Sequence, residues 1–208
     1  MKKHIALCTC STEMIISGTQ VLQDLANKLP CLEEGALSLR FALAATVEDA
    51  VATIWKDPVE LIGYLMDFEK IISFNGDQFD SAILSAEIAR AVNPALQNAT
   101  ATQILNSGEF LQTYGVLFDR SYDVFKIVKD VSGIAVSLKN IVHTSCGGVD
   151  RKYSLKIATD GFATGDIIPA VNFALEGATL SYNLHHVAIN FKTLKFVGSD
   201  GKIVEVSV

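Results

Sequence analysis

Ile71-Ile72-Ser73-Phe74-Asn75-Gly76-Asp77-Gln78-Phe79-Asp80 reads as a buried strand that delivers a polar turn to a sheet edge. Ile71 and Ile72 supply the apolar run, and Asn75-Gly76 ends it with two residues that favour turns. Upstream, Asp57-Pro58-Val59-Glu60 opens a helix, with Asp57 as N-cap, Pro58 at the first helical position and Glu60 at the capping-box position. Leu61, Leu65 and Phe68 then recur on one face. Downstream, residues 81–91 place Ile83, Ala86 and Ile88 at helical spacings. The unit is therefore helix, strand, turn, helix. In such a unit the carboxyl end of the strand faces the crevice where open α/β sheets place ligands. Asn75, Asp77 and Asp80 lie there. A purely structural role accounts for the same residues: Asn75-Gly76 supplies the left-handed turn and Asp80 caps the next helix.

Outward from this unit, residues 4–10 form a short apolar run that reads as the first, central strand. Residues 20–29 carry Val21, Leu22, Leu25 and Leu29 at helical spacing and stop at Pro30. Residues 37–45 and 50–56 alternate as two strands with a hairpin turn over 46–49. The pattern weakens over 93–115, where helical pieces and loop are expected. A helix follows over 121–131, another starts at Ser137, and Cys146-Gly147-Gly148 ends it. Residues 166–189 form a long apolar periodic segment interrupted by Gly177, which costs about 1 kcal/mol against Ala in a helix. His185-His186 fall near its end as a partly exposed pair. The tail, 193–208, is a β-hairpin with an Asp-Gly turn. The expected architecture is a single α/β domain over residues 1–208, a mixed sheet flanked by helices whose first and last core strands run side by side.

The composition narrows the function. With 208 residues, 50% hydrophobic and 19% charged, the chain can bury a substantial core. Its formal charge of −6 argues against a nonspecific grip on DNA, which needs a basic surface. Cys8, Cys10, Cys31 and Cys146 follow no zinc-site spacing, and a reducing cytoplasm is the simpler reading. Met1-Lys2-Lys3 precedes an apolar run too short for a secretory segment, and no run approaches the ~20 residues of a membrane span.

The stretch 71–80 resembles the second motif of the DEDD 3′ to 5′ exonucleases of RNase H-like fold, where strand, Asn, an aromatic and Asp recur. The chain is similar to the proofreading domain of family B DNA polymerases and its small standalone relatives. Tyr122-Asp123-Val124-Phe125 resembles their Asp-containing segment before a helix. Ser137-Leu138 through Cys146-Gly147 and Lys152 resembles their serine-leucine helix, glycine and lysine. The resemblance runs in order through most of the chain and implies an RNase H-like fold.

It also implies a two-metal nuclease, in which several carboxylates hold two Mg²⁺ or Mn²⁺ ions about 3.5 to 4 Å apart. The acid positions depart from that pattern. The family's Asp and Glu on the first strand fall on Cys8 and Cys10, and its last Asp falls on Gly177. Asp80 is the one matched acid. Glu13, Asp77, Asp123, Asp160, Asp166 and Glu176 are further acids, of which Glu176 lies one residue from the required register. The expectation is a degenerate exonuclease-like protein without metal cofactor, retained for binding or structure; the alternative is an active metal-dependent exonuclease with displaced ligands. Asn75, Arg151 and Lys152 are the candidate nucleic-acid contacts, with a protein partner expected, nucleic-acid binding weak or absent, and no membrane association. Cys8 and Cys10 with His4 form a soft-metal candidate, against which stands the reading of strand-buried cysteines as small hydrophobes.

Overall fold

The computed structural model describes residues 2–11 and 40–208. The helix expected over 20–29, the first residues of the strand expected from 37, Glu13 and Cys31 lie outside the described residues. Among those described, the order is β1 (Lys2–Ser11), β2 (Phe41–Glu48), β3 (Val51–Trp55), α1 (Pro58–Leu65), β4 (Phe68–Ser73), α2 (Asp80–Val92), a 3-10 turn (Pro94–Leu96), α3 (Ala101–Leu105), α4 (Gly108–Asp119), β5 (Ser121–Asp123), α5 (Val124–Ser132), α6 (Leu138–Ser145), α7 (Leu155–Thr164), α8 (Ile168–Phe191), β6 (Thr193–Val197) and β7 (Ile203–Ser207).

The main sheet has the order β3-β2-β1-β4-β5, and β6 and β7 form a separate hairpin. β1 is central and lies beside β4, as the sequence leads one to expect; it runs parallel to β4 and antiparallel to β2. Because side chains alternate across a strand, β1 feeds two cores. Ala6 and Cys10 join Leu43, Ala45 and Ile72 under Phe173, Ala174, Ala178 and Leu184 of α8. Ile5 and Leu7 join Ala44 and Ile71 against Leu61 and Leu65 of α1, Leu84 of α2 and Leu117 of α4. The molecule is thus a three-layer mixed α/β fold, and none of its described helices is long and apolar enough to cross a membrane.

Local chemistry sets most boundaries. Asp57 caps α1, accepting from the N–H groups of Val59 and Glu60 at 2.7 and 3.2 Å. The β2–β3 turn falls on Asp49-Ala50, both with positive φ, rather than on 46–49. Thr46 stays in the strand, where its hydroxyl accepts from Trp55 Nε1 at 2.9 Å. Phe68 begins β4 instead of ending the helix face of α1, and Arg120 Nη1 fixes the junction by donating to the carbonyls of Met66 and Phe68. The expected helix over 121–131 starts with three extended residues that pair with β4, through Ile72↔Tyr122 and Ser73↔Asp123. A ladder with a buried strand outweighs their helical patterning. Ser154 caps α7, accepting from Ile157 N–H, a helix that apolar spacing alone does not reveal.

Candidate functional site

The parallel pairing of β1 with β4 ends at Ala6↔Ile72, yet β1 continues to Ser11. Beyond that point the layer on one face, α8, and the start of α2 on the other meet over the strand ends. They enclose a crevice of about 260 Å³. Cys8, Asn75, Asp80, Arg151 and Gly177 line it together with Thr9, between apolar walls from Phe74, Phe79, Leu138, Leu155 and Phe173. This is the position where sheets with parallel strands place ligands. The structure brings Cys8, Asp80 and Gly177 into one crevice, although they are far apart in sequence.

Asp80 is buried and does not cap α2. Phe79 occupies the N-cap position without a side-chain cap bond. Asp80 Oδ1 accepts from the Thr9 N–H at 2.5 Å and from the Thr9 hydroxyl at 2.6 Å. The carboxylate thus takes up donors that β1 presents where β4 has turned away. Burial pushes its pKa up to about 6, against the pull of the Thr9 hydrogen bonds. The turn that delivers it is close-packed. Asn75 has φ 65°, as Asn in a left-handed turn allows. A β-carbon on Gly76 would lie 2.2 Å from Ser73 Oγ and 2.9 Å from Asp80 Oδ2.

Across the crevice, a β-carbon on Gly177 would lie 2.5 Å from Cys8 Sγ and 3.7 Å from Arg151 Nη2. The Arg151 guanidinium stacks over the Phe173 ring at 4.5 Å, and its Nε donates to the Tyr153 carbonyl at 3.1 Å. Glu176 accepts from the N–H groups of Lys152 and Tyr153 at 2.8 and 2.9 Å and lies 3.8 Å from Arg151 Nε. Arg151 is therefore a wall of the crevice, balanced by Glu176, and Lys152 is exposed and outside the lining. Cys10 points the same way as Cys8 but is sealed in the core beneath α8.

These residues do not suit a pair of hard divalent cations. Burial raises the Cys8 thiol well above its ordinary range, helped by the charge of Asp80, and raises Cys10 to about 12, so both stay protonated. Protonated sulfur is a poor partner for Mg²⁺ or Mn²⁺, which take oxygen ligands. Among the residues lining the crevice, Asp80 is the sole carboxylate. Glu176 and Asp123, weighed as stand-ins from the sequence, are committed to backbone N–H groups. The soft-metal grouping also dissolves: His4 Nδ1 lies 3.1 Å from His185 Nε2.

A second, polar crevice of about 290 Å³ adjoins the first through Asn75, which lines both. Asp123 organises it. As N-cap of α5 it accepts from Lys126 N–H at 3.2 Å, and it also accepts from Asn75 N–H at 2.8 Å and Asp77 N–H at 3.1 Å. Its carboxyl is raised by burial, against these hydrogen bonds. Asp77 is raised to about 6 by burial, with a smaller contribution from Asp123, while a Ser121 hydrogen bond and the charge of Lys126 oppose the rise.

The sequence reading misses Thr9 and Phe173, which hold Asp80 and Arg151. A threonine next to Cys8 was visible, but only the end of β4 makes its N–H a free donor. His185 also differs from the expected exposed pair. α8 runs on to Phe191, so His185 is buried against Tyr122 and His4, and only His186 is exposed. Searches of protein-family models and of curated proteins give no match to this chain.

Proposed function

We propose that the chain is a degenerate 3′ to 5′ exonuclease-like protein of RNase H-like descent that no longer hydrolyses nucleic acid and serves a binding or structural role. The observation that carries this reading is the Cys8–Gly177 contact: the thiol fills the space that an acidic side chain at 177 would need. Support also comes from Asp80, whose carboxylate is spent on Thr9. Arg151 stacked on Phe173 and paired with Glu176 makes a poor phosphate clamp, and the net charge of −6 disfavours phosphate contacts elsewhere. On this reading nucleic-acid binding is weak and recognition of a protein partner is carried by the outer surface.

The test is digestion of a 3′-labelled single-stranded oligonucleotide with Mg²⁺ or Mn²⁺ present. The expected result is no shortening above background, the same for the wild type and for Asp80→Ala. Metal-dependent shortening that disappears in Asp80→Ala would overturn the proposal and favour an active exonuclease with displaced ligands.

A further inference from the structure

The polar crevice holds an acid whose surroundings are built but incomplete. Asp77 is 3% exposed, yet its Oδ1 has no hydrogen-bond partner, and neither does the buried Asn75 Oδ1 beside it. Buried carboxylate oxygens are seldom left so, because an unpaired one loses its hydration without return. Neither residue is loosely held. Asp77 N–H donates to Asp123 Oδ2, and its carbonyl accepts from Tyr114 Oη at 2.9 Å, so the backbone is pinned on both sides. Asn75 N–H is fixed by Asp123 Oδ1. Two acceptor atoms, Asp77 Oδ1 and Asn75 Oδ1, are thus carried on a pinned backbone with no donor of their own, while Ser121 serves the Asp77 carboxyl otherwise.

The charges around them leave room for one cation. Asp77, Asp123 and Asp130 line the crevice against Lys126 and Lys129, three carboxyl groups to two ammonium groups. Lys126 Nζ is engaged by Asp130 at 2.9 Å, and Lys129 Nζ sits over the Phe125 ring at 5.8 Å. Phe125 stacks edge-on with Phe74 at 5.6 Å, and Phe74 belongs to the apolar crevice next door. An occupant held at Asp77 therefore meets an aromatic wall as it extends.

We propose that this crevice binds a small organic monocation, with an ammonium or amidinium group donating to Asp77 Oδ1 and Asn75 Oδ1 and an apolar body lying along Phe125 and Phe74. The size fits: about 290 Å³ is near the lower end of the ~300 to 1,000 Å³ usual for small-molecule sites. The charged end of the site lies outside the Cys8–Gly177 crevice, which it adjoins at Asn75 and Phe74, and the proposal stands whether or not the chain is a nuclease. Binding is pH-dependent. The groups facing Asp77 are Asp123 from β5, Lys126, Lys129 and Asp130 from α5, and the uncharged Ser121 and Tyr114 hydroxyls. Asp77 carries its charge above about pH 6 and is neutral below it.

The test is NMR titration of the full chain with benzamidine at pH 7.5, with its neutral isostere benzamide and with MgCl₂ as controls. Expected are saturable shifts centred on the amides of Asn75, Asp77 and Phe125 for benzamidine. Benzamide should bind at least about tenfold more weakly, and benzamidine affinity should fall about tenfold per pH unit below pH 6. Asp77→Asn should weaken benzamidine at least about tenfold, and Asn75→Asp, which keeps the shape and adds charge, should tighten it. Equal binding of benzamidine and benzamide to the wild type would overturn the proposal, as would shifts elsewhere, no shifts, or displacement of the pattern by Mg²⁺ alone.

Discussion

The sulfur of Cys8 lies 2.5 Å from the point that a β-carbon on Gly177 would occupy, closer than real β-carbons approach any atom. β1 and α8 meet there with glycine on one side and a small thiol on the other. Gly177→Ala should therefore destabilise the protein by about 1 to 3 kcal/mol, the usual range for overpacking, although Ala is the better helix former by about 1 kcal/mol. Cys8→Ala combined with Gly177→Ala should recover part of this loss. Urea melts of both single variants and the double variant check it: a coupling of at least about 0.5 kcal/mol is expected.

Asp80 gives a pH test whose direction is set by its raised pKa. The folded state holds the Asp80 proton up to about pH 6, whereas the unfolded chain releases it near pH 3.8. Its stabilising contribution is thus complete below about pH 4 and is lost as pH rises through about 6. Asp80→Asn keeps an acceptor for Thr9 and removes the charge. Its stability relative to wild type should rise between pH 4 and pH 7 by on the order of 2 kcal/mol. Asp80→Ala removes the same titration and should share that slope, but lie about 1 to 3 kcal/mol below Asp80→Asn at every pH, because two Thr9 donors lose their acceptor. Denaturant midpoints at several pH values separate the two outcomes.

His185 should show the opposite slope. Burial, with the nearby charges of His4 and His186, lowers its pKa to about 4 from an ordinary 6.5. The neutral ring is therefore favoured in the fold, and this contribution is present above pH 6.5 and lost as pH falls through 4. Replacing it by Phe removes the titration, so the stability of His185→Phe relative to wild type should rise as pH is lowered from 6.5 to 4. Thermal melts in that range read the sign directly.

Asp123 serves three backbone N–H groups from two segments. Its replacement by Ala should cost about 2 kcal/mol or more, above the ~1 kcal/mol typical of losing an N-cap alone. Hydrogen exchange should also quicken at Asn75 and Asp77, whose N–H groups lose their acceptor. Unchanged exchange there would show that the 74–77 turn is held by other contacts.

Patterns in the sequence were enough to place β1 at the centre of the sheet, to pair it with β4, to cap α1 at Asp57, to put Asn75 in a left-handed turn and to close the chain with the β6–β7 hairpin. These follow from local periodicity and from residues whose backbone preferences are strong on their own. The convergence of Cys8, Asp80 and Gly177 followed only from the resemblance of their motifs to the exonuclease family, and one crevice holds all three. What only the tertiary structure decided is what each of them does there. Asp80 has the position and chemistry of a helix cap, but β4 stops pairing with β1 at Ala6, so Thr9, paired only with β2, has no strand on its other side, and its N–H and hydroxyl take the carboxylate. Gly177 looks like a defect in a helix until Cys8 is seen in the space beside it. Arg151 looks like a phosphate contact until Phe173 and Glu176 hold it. In each case a partner distant in sequence completes the hydrogen bond or fills the volume, and side-chain patterns along the chain carry no distance between such partners.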